Sequence, residues 1–141
     1  MSCICDVALR EIVHSGADIG DDWVYRITVG DTTINIDGQG HGEARQRISF
    51  DSPPSWRVEG GACGEIMTIE IRAQAEEEDL FQNDVGERTR SITVACPEPG
   101  EGPNRFLGQQ LVARVVEEPD FLRRVHWVAF SFDLETRCDG R

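Results

Sequence analysis

Four stretches of the chain alternate apolar and polar residues with a period of two, and this pattern restricts the fold more than any other feature. In "DWVYRITVG", Trp23, Tyr25, Ile27 and Val29 fall on one face, with Arg26 and Thr28 on the other. In "EIMTIEIRAQA", Met67, Ile69, Ile71, Ala73 and Ala75 alternate with Thr68, Glu70, Arg72 and Gln74. "RSITVAC" and "WVAFSFDLE" repeat the pattern through Ile92 and Val94, and through Val128, Phe130, Phe132 and Leu134. A helix cannot use a period of two, because its faces recur every 3.6 residues; a half-buried strand can. "CDVALREIV", "TTINI", "RQRISF" and "QLVARVV" are weaker strand candidates. Turn-forming runs separate them: "GADIGDD", "DGQGHGE", "DSPPS", "EGGACGE", "PEPGEGPN" and "EEPDF". "NRFLGQQLVARVVEE" has some helical propensity, but Gly108 and three valines favour a turn followed by a strand. The expectation is an all-β fold, a single antiparallel two-sheet β-sandwich of seven or eight strands spanning residues 1–141.

The chain has 141 residues, of which 39% are hydrophobic and 28% charged, which suits one domain with a proper core. The formal net charge is −12, and every one of the 14 cations is an arginine. Nucleic acid and anionic lipid attract basic surfaces, so no nucleic-acid partner is expected and a membrane partner is disfavoured. The N-terminal residues show no basic segment followed by an apolar run, and a cytoplasmic location or leaderless export is expected.

The five cysteines are Cys3, Cys5, Cys63, Cys96 and Cys138. An odd count without a signal peptide argues against a disulfide framework. Cys3 and Cys5 read as small buried hydrophobes. Cys63 and Cys96 flank the central hairpin-like unit and read as neighbours, able to pair in an oxidising compartment.

Acidic residues gather in two loops. One is "SGADIGDDWVY", with Asp18, Asp21 and Asp22; the other is "AEEEDLFQNDVGER", with Glu76, Glu77, Glu78, Asp79, Asn83 and Asp84. Two like charges about 4 Å apart repel by roughly 4 kcal/mol at a surface-like dielectric, so such loops either stay well solvated or surround a cation. Calcium takes about six to eight oxygens, more than either loop alone offers comfortably. Two loops at one end of a sandwich could supply them.

The first segment, "DIGDDWVYRITV", resembles the first calcium loop of the C-two domain, the calcium- and phospholipid-binding sandwich of synaptotagmin and protein kinase C. The second, "IRAQAEEEDLFQNDVGERTRSITV", is similar to that family's third calcium loop. The resemblance implies Asp18 and Asp22 as first-loop ligands, Glu77, Asp79 and Asp84 as third-loop ligands, and Val85–Gly86 as the aliphatic-Gly pair that follows. Asp21 and Asn83 complete the candidate metal set. This sequence departs from the family at Glu77, where an aspartate is usual, at Trp23, where a proline is usual, and in having no lysine-rich strand.

Other signals are weaker. Neither "DTTINIDG" nor "DLFQNDVG" meets the EF-hand pattern, and "GQGHG" reads as a turn. His14, His41 and His126 are scattered along the chain, no catalytic constellation is evident, and no enzyme activity is expected. His126 reads as a strand start, Trp56 as a loop anchor and Leu80–Phe81 as an apolar cap. The function expected is a non-enzymatic calcium-binding module whose acidic loops mediate or regulate contact with a partner protein. The rival is a metal-free structural or adaptor subunit of a larger assembly; self-association is compatible with either.

Overall fold

A computed structural model describes residues 2–17, 19–20, 22–38, 47–78, 83–117 and 124–139. Among these the chain forms nine strands and no helix. They are β1 (Ser2–Gly16), β2 (Trp23–Val29), β3 (Thr32–Asp37), β4 (Arg47–Ser49), β5 (Ser55–Ala62), β6 (Ile66–Glu77), β7 (Asp84–Ala95), β8 (Asn104–Val116) and β9 (Val125–Asp139). Two antiparallel sheets pack face to face as a β-sandwich. The first runs β4-β1-β9-β8, with β5 also paired to β1. β9 lies along one edge of β1, while β5 pairs with its first half and β4 with Glu11–Val13. The second sheet runs β3-β2-β6-β7.

Nine strands replace the expected seven or eight. The extra one is β5, hidden because its glycines, and the prolines Pro53 and Pro54 just before it, read as punctuation. Trp56 is therefore a strand residue, buried and tilted against Phe132 at 6.3 Å, and not a loop anchor. The "turn" before "QLVARVV" is also a correction. β8 runs continuously through it with a register irregularity between Phe106 and Gln109, where Gly108 has φ +67° and its N–H donates to Asp133 Oδ1 at 3.0 Å.

Alternation places the core. Trp23, Tyr25, Ile27 and Val29 of β2, and Met67, Ile69, Ile71, Ala73 and Ala75 of β6, all point inward. They meet Val128, Phe130, Phe132 and Leu134 of β9. Fully burying each large side chain is worth about 1.5–3 kcal/mol. β1 needs a correction of phase to join them. Cys3, Cys5, Val7 and Leu9 share the inner face, and one extra residue at Arg10 then shifts the pairing from Leu9↔Phe132 to Ile12↔Phe130. That bulge turns Ile12 and His14 inward.

The cysteine reading is overturned. Cys3 bonds Cys96 and Cys63 bonds Cys138, leaving Cys5 as the buried free thiol. Cys63 and Cys96 are thus not partners, and Cys3 is not a simple hydrophobe. The Cys3–Cys96 bridge ties β1 of one sheet to the residue just after β7 of the other. The Cys63–Cys138 bridge joins the end of β5 to the end of β9. Both lie where β1 begins.

Candidate functional site

The opposite end of the sandwich gathers the acidic loops. Trp23 pairs with Glu77 across β2 and β6, Glu77 with Asp84 across β6 and β7, and Gly16 with His126 across β1 and β9. The connections β1–β2, β6–β7 and β8–β9 therefore leave the sheets at one end. Backbone bonds tie them down. The Glu78 N–H donates to the Asp22 carbonyl at 2.7 Å, the Ala17 N–H to Val125 at 3.0 Å, and the Glu117 N–H to Arg124 at 3.1 Å. The first of these joins the two segments that resemble C-two calcium loops.

The individual candidates fall into three groups. Asp18, Asp21 and Asp79 lie outside the described residues, as do Leu80, Phe81 and His41. Asp22 and Asn83 are exposed. Glu77 and Asp84 are neither on a loop nor exposed: they are the last residue of β6 and the first of β7, only 4% and 1% accessible. Their parity explains this, because Glu77 continues the inward series Ala73, Ala75 and faces the same side as its partner Trp23. Glu77 serves the neighbouring loop directly. A Cβ on Gly20 would sit 2.1 Å from Glu77 Oε1, so the carboxyl packs against bare backbone at a φ of +145°. The Trp23 indole N–H donates to the Gly20 carbonyl at 3.1 Å from the other side. Among the described residues, no three His, Cys, Asp or Glu side chains gather into a group that could hold a metal ion.

Beneath the loops lies a buried polar chain that the sequence did not reveal. His14 Nδ1 is 2.7 Å from His126 Nε2, His14 Nε2 is 2.5 Å from the Tyr25 hydroxyl, and His126 Nδ1 is 2.7 Å from the Ala17 carbonyl. One assignment of neutral rings satisfies all three contacts. A carbonyl only accepts, so His126 Nδ1 carries the proton and its Nε2 accepts from His14 Nδ1–H. His14 Nε2 then accepts from the Tyr25 O–H. Trp23 stacks on His126 with ring centroids 4.9 Å apart, and meets His14 edge-on at 4.9 Å. Burial pushes the Tyr25 phenol well above its ordinary value, so it remains a donor.

Both histidines are fully buried, and the chain ends on the backbone of the β1–β2 connection. Its evident role is to hold the acidic end in shape. His14→Leu keeps the volume but removes the ring to which the Tyr25 hydroxyl and His126 Nε2 are bonded. The expected loss is about 2 kcal/mol by denaturant unfolding, and adding Tyr25→Phe should return part of it. Full stability in the single variant would contradict the assignment.

No protein-family model matches this chain, and no curated protein matches its sequence.

Proposed function

We propose that the protein is a non-enzymatic binding module whose acidic end takes up calcium and is thereby shaped for contact with a partner protein. The observation that carries this reading is the Glu78–Asp22 bond, which brings the two acidic segments side by side at one end of the sandwich. Exposed Asp22 and Asn83 would contribute oxygens there together with Asp18, Asp21 and Asp79. Inward-facing Glu77 and Asp84 would brace the strands from which the loops spring. A hard cation would relieve the repulsion among the loop carboxylates.

The test is calcium-dependent stability in the wild type and in an Asp22→Asn/Asp79→Asn variant. The wild type should gain stability with calcium, and the variant should lose that gain while its calcium-free form stays as stable or becomes slightly more so. An unaltered calcium response in the variant would reject the site.

A metal-free adaptor is the second reading, favoured by one observation: Glu77 already has a structural task against Gly20. The two disulfides suit work in an oxidising setting, where such bonds persist.

A further inference from the structure

The outer seam between β7 and β8 carries an arrangement that the acidic end does not use. β7 and β8 are edge strands of opposite sheets, and they lie against each other: a Cβ on Gly86 would fall 2.4 Å from the Arg114 carbonyl oxygen. Across this seam opens a groove of about 440 Å³ lined by Arg88, Arg90, Gln110, Leu111, Val112 and Trp127. Arg114 pairs with Trp127 at its border.

Three features set the groove apart. The first is charge. Eight of the described arginines hold a carboxylate: Arg10, Arg26, Arg47, Arg57, Arg72, Arg105, Arg124 and Arg137. Among the described residues Arg88, Arg90 and Arg114 form no ion pair, although acids outnumber bases 26 to 14 in this chain. The second is position. Arg88 and Arg90 stand opposite Ala73 and Ile71, so the period of β7 aims them at the core, yet both are exposed. Arg90 reaches over the edge of β8, where its Nη1 donates to the Gln110 carbonyl at 3.0 Å and its Nη2 approaches Gln109 Oε1 at 3.4 Å, and Arg88 lines the same groove. The third is apolar surface. Trp127 and Val112 are each 40% exposed beside these guanidinium groups, whereas Trp23 and Trp56 are buried.

We infer that this seam is a docking surface for an acidic protein segment in extended form, carrying carboxylates that alternate with apolar side chains. Guanidinium groups grip carboxylates through two parallel hydrogen bonds, and all three cations here are guanidinium groups. Trp127 and Val112 receive the apolar side chains, and an exposed tryptophan beside arginines is the composition of a binding hot spot. A nucleic acid fits poorly, since its unbroken phosphate charge would face a chain of net charge −12 while only three cations receive it. An acidic peptide brings few charges, and at physiological salt the rest of the molecule is screened beyond about 8 Å. Inward-aimed charges also keep an edge strand from pairing with other edges, but that task requires no exposed tryptophan beside them.

The test uses the intact protein and a labelled decapeptide of alternating glutamate and leucine, with the glutamine–leucine peptide and a single-stranded oligonucleotide as controls. Saturable, salt-sensitive binding of the glutamate peptide alone is expected, with a blue shift of tryptophan emission that Trp127→Phe abolishes. Arg88→Gln/Arg90→Gln/Arg114→Gln should weaken binding at least about tenfold without lowering the melting temperature, since each removes a charge-assisted pair. Three results would overturn the inference: no saturable binding, equal binding of the glutamine peptide or the oligonucleotide, or undiminished binding by the triple variant. If the triple variant does not fold, Trp127→Phe decides, since an unaltered emission shift excludes the groove.

Discussion

Reducing the two disulfides should lower the melting temperature by about 15 °C or more. The Cys3–Cys96 bridge closes a loop with a sequence separation of 93, and Cys63–Cys138 one of 75. By chain entropy alone, each such bridge removes roughly 4–5 kcal/mol of freedom from the unfolded state. The loops overlap heavily, so the second contributes less than the first. The Cys3–Cys96 bond also crosses between sheets at the end farthest from the acidic loops. Without it the sheets are held there by packing and by the bonds that Thr136 Oγ1 and Asn104 Nδ2 donate to the Ala95 carbonyl, at 2.7 and 3.1 Å. The check is a pair of melts with and without a phosphine reductant, together with a thiol count. Unfolded without reductant, the chain should expose one reactive thiol, Cys5; after reduction it should expose all five. In the folded protein Cys5 should not react at neutral pH. Burial, and secondarily the charge of Asp6, pushes its thiol up to about 11, so it stays protonated and covered. A melt indifferent to reductant, with five thiols counted before reduction, would contradict the pairing.

Gly86→Ala should destabilise the fold by about 3 kcal/mol. The site tolerates no side chain: the new Cβ would lie 2.4 Å from the Arg114 carbonyl oxygen, 2.8 Å from its carbonyl carbon and 2.6 Å from Val115 Cγ2. Two of these are backbone atoms and cannot swing aside. Either β7 and β8 separate, opening the core near Val115, or both strands distort. Overpacking of this kind typically costs about 1–3 kcal/mol, and rigid backbone on both sides puts this site at the upper end. For a domain of this size that is a melting temperature lower by roughly 6–12 °C. Gly102→Ala is the control, since nothing lies within 4 Å of a Cβ there, and it should change stability by less than about 0.5 kcal/mol. Equal stability of the two variants would remove the argument that the seam depends on Gly86. In the sequence Gly86 suggested a calcium-loop glycine; its position supplies a packing reason that applies with or without a metal.

Much of the sandwich was legible because alternation reports burial directly. β2, β6 and β9 each place an alternating apolar series on the core, and the inward apolar residues of all three were identifiable. β5 was not, because a strand containing Gly60 and Gly61 looks like a turn until β1 pairs with it. The first half of β7 was missed for a related reason: Arg88 and Arg90 occupy inward positions, so the apolar alternation vanishes while the pairing continues. The disulfides were hidden by an argument from an odd count, which says nothing about four of five cysteines pairing. The histidine chain was hidden by distance, since His14 and His126 meet only when the first and last strands lie side by side and the Arg10 bulge turns His14 inward. For the acidic end, the sequence located both loops and their shared end of the sandwich. It misplaced Glu77 and Asp84, whose parity relative to Ala75 and Trp23 already pointed them into the core.

The most direct measurement is a thermal melt in chelator and then in millimolar calcium, with magnesium and matched ionic strength as controls. Calcium at about 100 times its dissociation constant adds roughly 2.7 kcal/mol. In a domain of this size the melting temperature should then rise by about 5–10 °C. A rise of that size with calcium, absent with magnesium or plain salt, is the predicted result. A flat response, or the same rise with all three, would contradict a calcium-tuned acidic end.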